Sequence, residues 1–162
     1  MTFQWQLLHP AVVHFPLALL LVGGAARALS FSRRAPAWLE EASTWTLWAG
    51  AAFAWLAVGL GHLAEETAPH VPAAWKTLEA HEDAAWWAAG WFTALSVAVF
   101  WLRRRGWPWP RARVAVLAAW VLGWAPLLRT AYLGGELVFR YGMGMGDGSG
   151  SEAVEKALDQ QR

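Results

Sequence analysis

Apolar positions run almost without a break through four stretches of the chain, at about residues 11–29, 44–64, 84–102 and 114–133. A helix crosses the hydrocarbon layer of a bilayer in about 20 such residues. The helices of a water-soluble bundle would carry a polar stripe on one face. Here charge inside the stretches is confined to Arg27 and Arg129. The pattern predicts an all-α fold, a four-helix transmembrane bundle over residues 1–141. Residues 142–162 are predicted to be a flexible tail, because glycines recur from Gly142 to Gly150. Its final dozen residues read as a short helix with Ser149 or Ser151 as N-cap.

The polar segments between the spans set an orientation. Arg27, Arg33 and Arg34 lie at the first connection, and Arg103, Arg104, Arg105, Arg111 and Arg113 at the third. The N-terminal segment has no Lys or Arg, and the second connection has only Lys76. Basic connections stay on the cytoplasmic side. Both termini are therefore expected outside, in the periplasm if the membrane is a bacterial inner membrane. Positive charge follows the first apolar run rather than preceding it, so that run is expected to be a retained span and not a cleaved leader.

Composition narrows the chemistry further. Of 162 residues, 57% are hydrophobic and 15% charged, which is short of the polar surface a soluble domain needs. The absence of cysteine excludes disulfides, thiolate metal sites, iron–sulfur clusters and covalently attached haem. No nucleotide cradle is visible and no nucleic-acid partner is expected. Of the 14 tryptophans, Trp38, Trp45, Trp75, Trp86, Trp87 and Trp107 are among those expected at the membrane interfaces. Gly50, Ala54, Gly59, Gly61, Ala85 and Ala89 are small enough to let helix backbones approach.

All five histidines fall at one membrane face. His9 and His14 stand at the outer end of the first span, His62 at that of the second, His70 in the outer connection, and His81 at the start of the third. An ionisable ring inside a span must face the bundle and find a partner. His14, about one turn inside the first span, is expected to do so. His9 is five residues away, about 140° round a regular helix, and is expected to cap a helix that begins at Pro10. Neutral imidazoles on facing helices suit b-type haem, which needs no cysteine. The expected axial ligands are His14 and His81, followed by His62 and His9, with Arg129 as a propionate or structural partner. Arg129 is also a candidate partner for Glu136.

A second chemistry competes with haem. His62, Glu65 and Glu66 fall at i, i+3 and i+4, on one helical face. With Glu82 across the connection they form an imidazole–carboxylate set suited to a Zn, Cu or Fe ion, or to a proton-linked role. The third alternative is a docking subunit of a membrane complex, free of any cofactor. No nucleophile–base pair is visible, so a carrier or binding subunit is expected rather than an enzyme. A homo-oligomer is compatible with such a chain.

Four motifs, HPAVVHFPLALLL at 9–21, GHLAEE at 61–66, LEAHEDAA at 78–85 and GGELVFRYGMGM at 134–145, give the chain a wider setting. Over about residues 7–146 it resembles the domain of unknown function 2231 family, small bacterial four-helix membrane proteins. The HPxxVHFP element carries the resemblance most specifically. The resemblance implies that His9, His14 and His81 match recurring histidines, with His62 less regular. Where this chain has Tyr141 the family often has His, so no ligand is implied there. Related modules fused to c-type cytochromes, or encoded beside them, imply electron transfer with a periplasmic c-type cytochrome as partner.

Overall fold

The computed structural model describes residues 8–67, 71–107, 111–143 and 156. His70 and the tail from 144 onward, Lys156 apart, lie outside the described residues. Five α-helices are present among the described residues: α1 Leu8–Val12, α2 His14–Leu29, α3 Trp38–Thr67, α4 Trp75–Arg104 and α5 Ala112–Phe139. A 3-10 turn at Pro72–Ala74 leads into α4.

Helices α1 and α2 form one span, Leu8–Leu29. The helical ladder is interrupted at Val13, itself in helical conformation, because Pro16 supplies no N–H to the Val12 carbonyl. The chain stays continuous because the Val13 N–H still reaches the His9 carbonyl, at 3.1 Å. The helix therefore starts before Pro10, not at it, and His9 is a helical residue rather than a free cap.

Helices α3 and α4 each run to 30 residues, beyond the purely apolar windows. Glu40 and Glu41 in the first turn of α3 and Arg103 and Arg104 in the last turn of α4 match the sign of the helix dipole at those ends. At 1.5 Å per residue such a helix is about 45 Å long, against about 30 Å of hydrocarbon. The helix ends, with their charged and histidine residues, thus project into the headgroup layers.

The four spans pack as an antiparallel ring, α2 beside α3, α3 beside α4, α4 beside α5, and α5 back against α2. Leu20, Leu47, Phe92, Val99, Val116 and Trp120 fill the centre. No more than 28% of any spanning window is buried inside the bundle. Val22, Leu56, Trp87, Trp101, Leu122 and Tyr132 all face outward. An apolar exterior of this kind calls for lipid as its solvent.

Beyond the spans, Gly142 has φ +66°, a conformation glycine adopts without strain. It turns the chain so that the Met143 N–H returns to the Leu137 carbonyl, at 3.0 Å. Tyr141 and Met143 then pack with Val71, Ala74 and Leu137.

Candidate functional site

The two ends of the bundle differ in chemistry. At one end Arg27, buried to 1% exposure, donates to Glu40 at 3.0 Å, and Arg113 pairs with the other oxygen of the same carboxylate. Arg103 reaches Glu41 and Thr44. The Arg27 guanidinium also lies 4.9 Å from the centroid of the Trp107 ring, while among the described residues the Arg27 Nε and Nη2 have no hydrogen-bond partner. Arg27 therefore belongs to the bundle interior, not to a solvated connection. Trp107, partly buried, packs against Arg27 and the bundle core.

At the opposite end two histidines enter the bundle from different helices. His9 of α1 and His81 of α4 have ring centroids 6.3 Å apart and planes at 84°. Both are half-buried. Each ring is fixed by a backbone carbonyl of a neighbouring span: His9 Nδ1 by Ala57 at 2.9 Å, His81 Nδ1 by Thr130 at 3.0 Å. Since a carbonyl only accepts, Nδ1 carries the proton in both rings, and Nε2 keeps its lone pair. Among the described residues neither Nε2 has a hydrogen-bond partner.

Both contacts are built the same way. Four residues after Ala57 stands Gly61, and four after Thr130 stands Gly134. A Cβ on Gly61 would lie 3.0 Å from His9 Cε1 and 3.2 Å from its Nδ1. One on Gly134 would lie 3.1 Å from His81 Cε1. Helical Cβ atoms lean toward the N-terminus and cover the preceding turn. Glycine at i+4 therefore uncovers the carbonyl of residue i for a second donor.

The core uses the same arrangement twice more. Trp120 and Trp124 donate to the Leu20 carbonyl at 2.8 and 3.2 Å, with Gly24 four residues on. Trp91 donates to Ala119 at 2.8 Å, with Gly123 four residues on. A Cβ at either glycine would meet the donor ring itself.

The remaining expected site residues are distributed around this pair. His14 is exposed, and its Nδ1 bonds the Pro10 carbonyl of its own helical turn at 2.8 Å. This corrects the expectation that His14 faces the bundle and pairs with His81. Of two residues set about 140° apart only one can face inward, and it is His9, which reaches the Ala57 carbonyl of α3. Arg129 is exposed and, among the described residues, has no acidic partner; Glu136 is taken by Arg140 at 2.6 Å. Of the small residues, Gly50 packs on Leu20 and Gly61 on His9, whereas Gly59 meets no atom within 4 Å.

His62, Glu65 and Glu82 come together at the seam of α3 and α4. One ligand atom from each lies within 4.8 Å of the others. Glu66 is exposed and outside the group. The set adjoins the histidine pair, because Gly61 touches His9 and Glu82 follows His81.

Fold and site together define a four-span integral membrane bundle with a carbonyl-anchored histidine pair at one end. The family model described as predicted membrane protein (DUF2231) matches residues 6–147, and the chain belongs to that family. No curated protein and no solved structure matches it significantly.

Proposed function

We propose that the chain is a membrane-embedded b-type cytochrome acting in electron transfer, with His9 and His81 as the axial pair. The single observation that carries this reading is the matched anchoring of two imidazoles on different helices. Nδ1–H bonded to a backbone carbonyl orients a ligating histidine and fixes its tautomer. His9 and His81, with ring centroids 6.3 Å apart, would hold the haem iron through their Nε2 atoms. Bound haem would supply a one-electron redox centre. The residues themselves hold the rings, exclude side-chain bulk through Gly61 and Gly134, and leave Nε2 of each neutral ring as the nitrogen that could bind a metal.

The arginine-rich connections support placing the histidine end outside a bacterial inner membrane, facing a periplasmic c-type cytochrome. Arg129, exposed one residue before the carbonyl that anchors His81, is the nearest sequence candidate for a propionate partner.

The test is a dithionite-reduced minus oxidised visible spectrum of the detergent-purified full chain, produced with ample haem. Sharp α and Soret bands are expected. They should vanish in His9→Ala and His81→Ala and survive in His14→Ala. A folded chain with a flat spectrum overturns the proposal, and so does full haem retention in both His9→Ala and His81→Ala.

A further inference from the structure

We infer a second ligand site, independent of haem: His62, Glu65 and Glu82 form a surface site for a divalent first-row transition ion, zinc in character. Glu65 and His62 stand one turn apart on α3, with Nδ1 and Oε2 at 3.8 Å, and Glu82 reaches them from α4. One imidazole nitrogen and two carboxylate oxygens make a borderline-to-hard donor set, which suits Zn, Fe or Mn rather than a thiophilic ion.

The charge arrangement at the two bundle ends supports a missing cation. At the opposite end Glu40 and Glu41 are paired with arginines, and Glu136 on α5 is paired with Arg140. Among the described residues neither Glu65 nor Glu82 is paired with Lys or Arg. Glu65 and Glu82 are joined by a side-chain hydrogen bond, which needs a proton on one of the two carboxyls; a divalent ion takes the place of that proton and offsets both negative charges. Zinc–ligand bonds of about 2 Å set tetrahedral donors about 3.3 Å apart, closer than the 4.8 Å limit of this group. His62 can close the difference, since its side chain is 74% exposed and its rotation displaces no core residue. The same exposure leaves a coordination position open to water.

Zinc chloride titrated into the full chain in detergent tests the inference, with isothermal calorimetry as the primary readout. One zinc per chain is expected, and Glu65→Gln, Glu82→Gln and His62→Ala should each weaken it by at least about tenfold, the lower bound for an outer-shell partner. Glu82→Gln also keeps a donor to Glu65 without needing a bound proton. It should raise the melting temperature of the metal-free chain and abolish the further rise that zinc produces in the parent, an outcome a merely structural glutamate would not give. His9→Ala and His81→Ala should leave zinc binding intact, so failure of the haem reading does not carry this one with it. Absence of stoichiometric zinc, or binding unchanged by Glu65→Gln and Glu82→Gln, overturns the site.

Discussion

Gly61→Ala isolates the contact on which the histidine pair depends. In an ordinary helix position alanine is favoured over glycine by about 0.5–1 kcal/mol. Gly59 is such a position: it lies on the same helix, and an added Cβ there meets nothing within 4 Å. Gly59→Ala should therefore stabilise by about that amount. At Gly61 the new Cβ stands 3.0 Å from His9 Cε1 and 3.2 Å from Nδ1, so the ring must shift at the atom that bonds the Ala57 carbonyl. Interhelical hydrogen bonds in membrane bundles average about 0.6 kcal/mol and reach about 1.7. Leaving the Nδ1–H without a partner costs about 1–3 kcal/mol, a range that overlaps the first loss rather than adding to it. Taking about 2 kcal/mol for the broken contact and about 0.5–1 for the helix gain, Gly61→Ala should destabilise by about 1 kcal/mol. The two alanine variants should thus differ by about 2 kcal/mol, roughly 30-fold in the folding constant. Reversible unfolding in mixed detergent micelles, followed by helical circular dichroism, measures the difference directly. Repeating both substitutions in His9→Ala closes a double-mutant cycle. In that background Gly61→Ala should become as favourable as Gly59→Ala. Equal effects of the two substitutions in the parent chain would refute the uncovered-carbonyl account.

Other outcomes follow from the same structure. Glu40→Ala strips the nearly inaccessible Arg27 of its carboxylate and should cost about 3–5 kcal/mol, while the apolar double variant Arg27→Met with Glu40→Leu should recover most of it. Unfolding in the same micelles checks both. Trp120→Phe leaves a smaller ring in the core and deletes one donor to the Leu20 carbonyl, and should cost about 1–3 kcal/mol. In Trp124→Phe the cost of the Trp120 change should rise, because the two indoles share one acceptor. The chain has no cysteine, so single cysteines report orientation cleanly. Lys76→Cys should react with an impermeant maleimide in intact cells and Arg33→Cys only after lysis; the opposite pattern would invert the proposed topology.

The four spans were legible because their apolar runs leave no polar face, and the structure extends them only where charged residues continue a helix. Glu40, Glu41, Arg103 and Arg104 lie outside the apolar windows yet favour the helix ends they occupy. The histidine end was legible as a cluster, but the choice between His9 and His14 was not. Spacing sets the two residues on different faces, but which face meets α3 depends on how the spans pack. The His62, Glu65 and Glu82 grouping was half legible: the α3 pair follows from helical spacing, whereas the approach of Glu82 depends on how α4 packs. The anchoring of the rings was hidden more deeply. A glycine four residues after a carbonyl is visible in any sequence, but which ring arrives there from another helix is a property of the packed bundle alone. Arg27 shows the same limit, since only the approach of α3 and α5 distinguishes an interior guanidinium from an arginine at the edge of a connection.

Glu40 holds one arginine from thirteen residues earlier in the chain and another from seventy-three residues later. The first partner is already present when α3 is made, whereas the second arrives only with the last helix. A nascent or truncated chain lacking α5 thus carries a half-neutralised junction and an open bundle wall. In biogenesis, joining the last helix both completes the charge pairing and shuts the ring.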